Sequence, residues 1–546
     1  MNETLQFSRL DTAFSCFLSQ RTSLNKDQKK DFESLISKLS SHQTQGHNCI
    51  HINQTEQSLI LARGLIEANN LSPLVLEDNR LYLHRYWFYE NRLAHQITNR
   101  LSTTTTDKKT SHFVNQYFNS DTHEIDWQKE AARKAVSQPF SIITGGPGTG
   151  KTTTVIKILA ILLELAHAKN SSLHIALAAP TGKAAKRLEE SINISKKTLS
   201  CPDSIKQNIP STATTLHRLL GANHSSPYFK HNSQHPLTHD VVIIDEASMI
   251  DLALMSKLID SLKSGVRFIL LGDKDQLASV ESGAVLSDLT TALPDQTVEL
   301  KKSHRFQGEI KKLADAVNSQ LPEKAWDILE NDQQQASLLE ENLIDYAVEH
   351  YTSYLQQIKN NVKFNDVFSI FSQFQILCAT RHGENGVFDI NNKIEERLAK
   401  QNKIRITGQW YIGRPIMVTQ NNTEMQLYNG DIGIYLQDKN SAKPAIFFIQ
   451  PDGNVKKILP SRLPAHETVF AMSIHKSQGS EFDECLCVLP NTMNPILSKE
   501  LIYTAITRAK TKIKMHCSYS IFSQALQNKI VRTGGLFEKL TKEDIS

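Results

Sequence analysis

The chain has 546 residues, of which 40% are hydrophobic and 22% are charged. A chain of this length is too long for one hydrophobic core, so we expect roughly three or four domains. The composition is close to the globular average and excludes a fibrous or wholly disordered protein. The net charge of +4 permits a nucleic-acid partner, but it does not by itself indicate one.

Three features bear on the compartment. The first four residues, Met1 to Thr4, do not begin a basic stretch followed by an apolar core, so we expect no secretion signal. The longest apolar stretch, Ile156 to Ala166, falls short of the ~20 residues that a membrane span needs, which favours a core helix. The seven cysteines are scattered and form no C-x-x-C pair, which argues against a disulfide framework or a zinc site. We therefore expect a cytoplasmic protein.

Residues 1–105 carry apolar residues at helical spacing, for example Leu35, Ile36 and Leu39, and predict a separate helical N-terminal domain. An aromatic cluster near its end has two interpretations, core packing or a surface on which a partner docks. The cluster comprises Tyr82, Tyr86, Trp87, Phe88 and Tyr89. Residues 106–124, which follow a polar Ser and Thr run, are interpreted as a linker.

From about residue 125 the pattern changes to short aliphatic runs that alternate with helical segments, which predicts an α/β fold with parallel sheets. We divide it into a first lobe at 125–304 and a second lobe at 305–546. Between about 410 and 461, short alternating runs with turn signals predict a small β-barrel insert. The predicted strands are Phe140–Thr144, Leu173–Ala179, Val241–Asp245, Phe268–Leu271, Gln375–Cys378, Phe470–Ser473 and Glu484–Leu489.

A glycine-rich loop follows the first of these strands. It fits the pattern G-x-x-x-x-G-K-[ST], in which backbone N–H groups and the start of a helix hold phosphates. Lys151 is expected to reach the outer phosphates of a nucleotide, and Thr152 to hold Mg²⁺. The loop residues are Gly145, Gly146, Pro147, Gly148, Thr149, Gly150, Lys151 and Thr152.

Further residues have the chemistry that nucleotide hydrolysis needs. Asp245 and Glu246 end an apolar strand, where one carboxylate can hold a metal and its neighbour the attacking water. Gln276 follows another strand and is a candidate sensor of the γ-phosphate. Arg305 and Arg508 are candidate arginine fingers from the second lobe.

Taken in order along the chain, these motifs resemble those of superfamily 1 helicases over roughly residues 125–515. The amino-acid sequences of three of these motifs are similar to those of the RecD family, the α subunits of RecBCD (exodeoxyribonuclease V). The stretches that carry this resemblance are Thr214 to Gly221, Asp245 to Met249 and His475 to Phe482, with Ala179 to Ala185 as a further helicase motif.

The resemblance implies two RecA-like lobes with ATP and Mg²⁺ between them, and an SH3-like insert. It implies 5′→3′ movement on single-stranded DNA and membership of a heterotrimer with RecB-like and RecC-like subunits that processes double-strand breaks for recombination. Asp245 and Glu246 would act on metal and water, and Gln128 would read the adenine edge. Thr153, Gly479 and Glu481 would also contact the nucleotide, and the implied DNA track is Thr181, Lys183, Thr215, His217, His475 and Lys476.

The sequence departs from the family pattern in two places. His304 stands where relatives often carry an aromatic residue, and only about 120 residues precede the motor, fewer than in stand-alone RecD-like helicases. Two alternatives stay open: a stand-alone helicase, and a structural subunit whose ATP site acts as a switch. No compact cluster of Asp, Glu and Lys follows the helicase motifs, so we expect nuclease activity of the complex to lie in a partner.

Overall fold

A computed structural model describes most of the chain. The described residues are 7–61, 72–101, 108–118, 125–223, 226–279, 281–302, 308–332, 334–422, 424–438, 441, 443–450 and 453–541. Among these residues no helix is long and apolar enough to cross a membrane. The stretch Ile156 to Ala166, predicted as a core helix, lies in a helix with most of its side chains buried.

The N-terminal region is a mixed α and β unit rather than an all-helical one. Its strands form an antiparallel sheet in the order β1-β3-β2, and its core includes Phe32, Ile36 and Leu81. The β2–β3 hairpin turns at Asp78 and Asn79, which both have positive φ, so this Asp-Asn pair was the available hairpin signal. The elements are α1 (Arg9–Ser19), α2 (Lys26–Thr44), β1 (Cys49–His51), α3 (Gln54–Leu61), β2 (Leu74–Glu77), β3 (Arg80–Leu83) and α4 (His84–Leu101).

The aromatic cluster mostly packs inside the protein. Tyr82 is fully buried, Tyr86 and Tyr89 pack against the core of the first lobe, and Trp87 donates a hydrogen bond to Glu77. Of these five residues only Phe88 is exposed, with 41% of its surface accessible to solvent. Core packing therefore accounts for most of this cluster.

The predicted linker contains a packed helix. Helix α5 (Lys108–Tyr117) contributes Val114 and Tyr117 to a core that it shares with the first lobe, together with the following residue Phe118. The polar run before it had suggested a linker throughout, but apolar side chains at helical spacing follow that run and are buried. Residues 102–107 and 119–124 lie outside the described part of the chain.

The first lobe is a six-stranded sheet in the order β11-β4-β10-β9-β5-β6, and its strand pairs are all parallel. Helices cover both faces, which is why its strands are almost uniformly apolar. The elements are α6 (Trp127–Ser137), β4 (Phe140–Thr144), α7 (Lys151–His167), β5 (Ile175–Ala179), α8 (Gly182–Thr198), α9 (Asp203–Asn208), β6 (Thr214–Thr215), α10 (Leu216–Leu219), β7 (Ala222–Asn223), β8 (Ser226–Phe229), β9 (Val241–Ile244), α11 (Leu252–Asp260), β10 (Arg267–Gly272), α12 (Val285–Ala292) and β11 (Thr297–Glu299).

The second lobe has a parallel sheet of five strands in the order β12-β21-β20-β13-β19. The strands predicted near 375, 470 and 484 are all present in it. Its elements are α13 (Glu309–Asn318), α14 (Pro322–Asn331), β12 (Ala336–Leu338), α15 (Leu343–Lys359), α16 (Phe364–Phe371), β13 (Phe374–Cys378), α17 (Val387–Lys400), β19 (Ala471–Ser473), β20 (Phe482–Val488), α18 (Lys499–Ile506), β21 (Ala509–His516), α19 (Tyr519–Gln527) and α20 (Leu536–Thr541).

Between α17 and β19 the chain forms the insert, a separate antiparallel sheet in the order β17-β16-β15-β14-β18. It has a small core of its own that includes Ile416, Ile446 and Phe448. Gly430, in the predicted turn, has φ of 94°. The strands are β14 (Pro415–Val418), β15 (Ile432–Gln437), β16 (Pro444–Ile449), β17 (Val455–Ile458) and β18 (His466–Thr468).

The C-terminal segment returns from the second lobe to the N-terminal region. Asn48 N–H donates to the carbonyl of Thr533, and the backbone N–H of Gly535 donates to both carboxylate oxygens of Glu90. Leu536 joins the core that α4 shares with the first lobe. The N-terminal region and the C-terminal segment therefore pack together against the first lobe.

Candidate functional site

The glycine-rich loop joins β4 to α7 at the carboxyl edge of the first sheet. Gly148 and Gly150 have φ of 76° and 83°, a backbone region that favours glycine. Helix α7 begins directly after Gly150, without a side-chain cap, so its first N–H groups are available to an anion. Lys151 Nζ donates to the carbonyls of Gly145 and Gly146, at 2.6 and 3.1 Å, and therefore lies over the loop.

Three other predicted nucleotide contacts lie beside this loop, on α6 and α7. Gln128 Nε2 donates to the Thr149 carbonyl at 3.1 Å, which ties α6 to the loop. Thr152 is half-buried at the start of α7, whereas Thr153 is exposed. Gln128 is thus placed next to the phosphate loop, as a residue in contact with a bound nucleotide must be.

The acid pair follows β9, one strand away from β10 and two from β4. The pKa of Asp245 is raised to about 6, chiefly by burial and also by the adjacent Glu246, whereas Lys151 opposes this rise. Glu246 has a positive φ of 52°, a backbone state that is uncommon for a non-glycine residue and recurs at functional sites. The pair therefore lies within electrostatic reach of the phosphate-loop lysine.

The candidate sensor Gln276 lies after β10 and is held by a buried acid. Its Nε2 donates to Asp273 Oδ2 at 3.0 Å, and both side chains are almost fully buried. Two backbone groups of the next residue bond to the second lobe: Leu277 N–H donates to Thr504 Oγ1, and the Leu277 carbonyl accepts from Gln478, both at 2.9 Å. The sensor loop is therefore part of the contact between the lobes.

The second lobe contributes Arg508, which is 1% exposed. It donates to the carbonyls of Thr504 and Ser480, at 3.1 and 3.2 Å. Burial lowers the pKa of its guanidinium, whereas Glu246 and Asp273 of the first lobe raise it. Arg508 therefore brings a positive charge into the field of first-lobe carboxylates. Arg305 and His304 lie outside the described residues.

A cavity of about 260 Å³ separates the phosphate loop from helices α13 and α18. Tyr503 reaches across it, since a methyl group placed on Gly146 would lie 3.0 Å from the Tyr503 hydroxyl. Carboxylates and lysines from both lobes share its wall. The lining residues include Gly145, Thr149, Asp273, Asp275, Glu299, Lys301, Lys311, Asp315 and Tyr503.

One charged residue of this site was missed at the sequence level. Arg187, on α8, forms a salt bridge with Glu481 of the second lobe. Burial lowers its pKa, and Glu246 and Asp245 raise it. The resemblance had assigned Glu481 to the nucleotide, whereas its carboxylate contacts Arg187 here. Arg187 has the helix spacing i, i+4 from Lys183, and this spacing was the available signal.

The DNA-track candidates of the first lobe lie together at one corner of its sheet. Thr181 caps α8 by accepting from Ala184 N–H, and Thr215 caps α10 by accepting from Arg218 N–H. These caps follow β5 and β6, which pair in parallel. His217 is exposed and packs edge-on to the Phe229 ring.

The insert covers part of this corner. A methyl group placed on Gly182 would contact the Tyr428 ring at 2.8 Å, and Lys186 Nζ donates to the Ile449 carbonyl. The pKa of Lys183 is lowered to about 8, chiefly by burial, and Asp431 of the insert opposes this shift. Helix α8 therefore contacts the insert as well as the second lobe.

The second-lobe candidates follow β19. His475 is half-buried, and burial lowers its pKa. Lys476 Nζ lies 2.8 Å from Glu467 of the insert, and Arg381 contacts the same carboxylate. Gly479 is buried with φ of 71°, and a methyl group placed on it would lie 3.6 Å from Ala184 of α8. The two groups of track candidates are therefore joined through α8 and the insert.

Comparison with known families matches two segments of the chain. Residues 128–282 match the AAA domain family, and residues 468–514 match the UvrD-like helicase C-terminal domain family. The first segment contains the phosphate loop, the acid pair and Gln276. The second contains the track candidates of the second lobe, Glu481 and Arg508.

Individual relatives extend the match over most of the chain. The RecBCD enzyme subunit RecD of Haemophilus influenzae is 37% identical over 88% of this chain and 82% of its own length. The same subunit of Mycolicibacterium smegmatis is 36% identical over 86% and 83%. A crystal structure of Bacteroides Pif1 bound to ssDNA is 17% identical over 73% of this chain and 94% of its own, with a TM-score of 0.42. On the identity and coverage of the two curated relatives, the chain belongs to the RecD family of RecBCD enzyme subunits.

Proposed function

We propose that this chain is an ATP-dependent DNA helicase that moves 5′→3′ on single-stranded DNA, as a subunit of a complex with RecB-like and RecC-like partners. The observation that carries the proposal is Arg508. It extends from the second lobe into the field of Glu246 and Asp273 of the first lobe. A hydrolysis site shared by two lobes couples the state of the nucleotide to their relative position, which is what a motor requires.

The residues of the loop and the acid pair fit a magnesium nucleotide. Mg²⁺ bound to a nucleotide usually takes one or two protein ligands, with phosphates and water completing its shell. Thr152 and Asp245 supply a hydroxyl and a half-buried carboxylate of raised pKa, which a cation would stabilise in the charged form. Bound there, Mg²⁺ would neutralise charge that develops on the phosphates.

The chain's own groups would then divide the remaining work. Lys151 would exchange the loop carbonyls for the outer phosphates, and Glu246 would orient the attacking water. Gln276 would report on the γ-phosphate, while Arg508 and Arg305 stabilise the transition state. Gln128 and the remaining loop residues would hold the nucleotide.

A motor without sequence preference needs contacts to phosphates and base faces rather than to base edges. Thr181, Lys183, Thr215, His217, His475 and Lys476 provide such small polar and basic groups. We propose the insert as an SH3-like barrel beside this track. We expect the chain to act in the cytoplasm, where it takes part in recombinational repair of duplex DNA ends, and nuclease activity of the complex to lie in a partner.

The central experiment is Lys151→Gln in the full-length chain. We expect DNA-stimulated ATP hydrolysis to fall on the order of 10²-fold or more, because charge on the transferred phosphoryl group loses its stabilising partner. The unfolding midpoint should stay unchanged. Lys169→Gln, in the exposed turn that follows the same helix, is the matched control. Unchanged turnover in the Lys151→Gln chain would refute the proposed hydrolysis site.

Direction of travel has its own test. Strand displacement is measured on duplexes that carry either a 5′ or a 3′ single-stranded overhang, with the Lys151→Gln chain as the background. We expect the activity that depends on Lys151 to require the 5′ overhang. Displacement only from 3′ overhangs would refute the polarity, and ATP hydrolysis without any displacement would favour a switch in a structural subunit.

A further inference from the structure

Helix α8 connects two parts of the proposed motor. Its start carries Thr181 and Lys183, two candidate DNA contacts, and one helical turn further on it carries Arg187. Residues at i and i+4 lie on the same face of a helix. A displacement of the helix start by bound DNA would therefore also move Arg187.

Arg187 contacts the second lobe at residues 480–482, the same segment to which Arg508 is hydrogen-bonded. The Arg187 guanidinium forms a salt bridge with Glu481, whose side chain is 9% exposed. Arg508 donates to the carbonyl of the preceding residue, Ser480, at 3.2 Å, and accepts at its own carbonyl from Phe482 N–H at 2.9 Å. Two arginines, one from each lobe, thus bond to residues 480–482.

The residues beside this segment are closely packed. A methyl group placed on Gly479 would lie 3.6 Å from Ala184 of α8, and Ser477 and Gln478 are buried. Both arginines are also within electrostatic reach of Glu246. A change in the position of Arg187 therefore has a short, packed route to Arg508 and to the acid that orients the attacking water.

We propose that Arg187 is a positioning residue that couples DNA bound at the start of α8 to ATP hydrolysis, because its salt bridge with Glu481 sets the position of the Arg508 segment against Glu246. This inference rests on the proposed function and adds a residue to it. Arg187 does not need to touch the nucleotide for this role. It acts through Glu481 and residues 480–482.

The test compares hydrolysis with and without DNA. The turnover number of the full-length chain, together with any subunits that copurify, is measured with no DNA and with saturating single-stranded oligo-dT. The rate measured with the Lys151→Gln chain is subtracted as the ATP hydrolysis of any other motor that copurifies. For Arg187→Ala we expect the DNA-stimulated rate to fall on the order of 10²-fold, because misplacing a catalytic group by about 1 Å has an effect of that size. The rate without DNA should fall much less.

Three controls separate coupling from a merely structural role. Arg187→Lys keeps the charge without the planar fork and should restore part of the stimulation. Arg397→Ala removes another arginine that bridges two elements, its salt bridge with Asp345 being exposed, and should leave both rates unchanged. The unfolding midpoint and the affinity for oligo-dT should stay close to those of the wild-type chain in every variant.

A double-mutant cycle with Glu481→Gln tests the route. If the two residues act as a pair, the double variant should lose little more stimulation than Arg187→Ala alone. Additive losses would overturn the inference, as would an Arg187→Ala chain with the wild-type ratio of stimulated to basal rate, or one that loses both rates equally. A wild-type chain without DNA stimulation would instead refute the proposed function itself.

Discussion

The hydroxyl of Tyr503, on α18 of the second lobe, donates a 3.1 Å hydrogen bond to Asp273 Oδ2, the same carboxylate oxygen that accepts from Gln276. The two donors come from different lobes. Opening of the interface between the lobes would remove the Tyr503 bond and leave Gln276 as a donor to Asp273. Asp273 therefore links the proposed γ-phosphate sensor to the second lobe.

Tyr503→Phe tests this link. The change leaves a buried carboxylate with one hydrogen bond fewer, which should lower the free energy of unfolding by about 1–3 kcal/mol. We also expect DNA-stimulated turnover to fall more than nucleotide affinity, because the contact matters for the closed arrangement of the lobes. Denaturant unfolding and steady-state ATPase assays measure the two effects.

Tyr519→Phe is the control for that substitution, since its side chain is 42% exposed and it lies on α19, away from Asp273. It should leave both unfolding and turnover unchanged. If Tyr503→Phe matched this control in turnover, Asp273 would not transmit the state of the interface to Gln276.

A second prediction concerns pH and an ion pair in the second lobe. His350 Nε2 lies 3.6 Å from Glu484 Oε1, and Tyr346 donates to the same carboxylate. Burial lowers the pKa of His350, but the hydrogen bonds with Glu484 and with the Tyr346 carbonyl, together with the charge of Glu484, outweigh it and raise the pKa above the ordinary 6.5. Burial likewise opposes the ionised form of Glu484, but His350 and Tyr346 lower its pKa to about 2.

These shifts set the pH range in which the pair stabilises the fold. A raised histidine pKa contributes stability that is complete below about 6.5 and is lost as the pH rises through the folded value. The lowered carboxyl pKa contributes stability above about 4.5 that is lost as the pH falls toward 2. We therefore expect His350→Gln to lower the unfolding midpoint more at pH 6 than at pH 8.5. An equal difference at both pH values would show that the ion pair does not contribute.

A third prediction concerns the packing of the C-terminal segment against the N-terminal region. A methyl group on Gly535 would collide with the Tyr82 hydroxyl and lie 3.1 Å from Glu90 Oε2. Glu90 is fully buried and already accepts from Asn48 and from Gly535 N–H. Gly535→Ala should therefore cost about 1–3 kcal/mol of unfolding free energy through overpacking.

Gly408→Ala is the matched control for that change, because a methyl group there meets no other atom within 4 Å. Denaturant unfolding compares the two variants, and limited proteolysis shows whether the N-terminal region separates first. Equal stability of the two variants would mean that the packing around Glu90 accommodates the added methyl group without loss of unfolding free energy.

Apolar patterns over a few neighbouring residues were enough to predict the central strands of the sheets. Apolar runs of four to six residues located the central strands, because a strand buried on both faces must be apolar along its whole length. The hairpin at Asp78–Asn79 and helix α5 were missed, since short elements give weak periodic signals and the polar runs beside them dominated the interpretation.

Charged contacts between residues far apart in the chain were harder to predict from the sequence. Arg187 and Glu481 lie 294 positions apart in the chain (481 − 187) and meet only because the two lobes pack together in the folded chain. Arg508 was selected as a candidate from its motif, but its complete burial and its bonds to Ser480 and Thr504 depend on the folded second lobe.

The sequence by itself determined the phosphate loop, the acid pair and their places after parallel strands, because each is a short run whose geometry follows from neighbouring residues. The tertiary structure decided which charges meet across the lobes, how much of the aromatic cluster is buried, and that the C-terminal segment packs on Glu90. These depend on burial and on the loss of solvent around charges, which arise only when distant parts of the chain pack together.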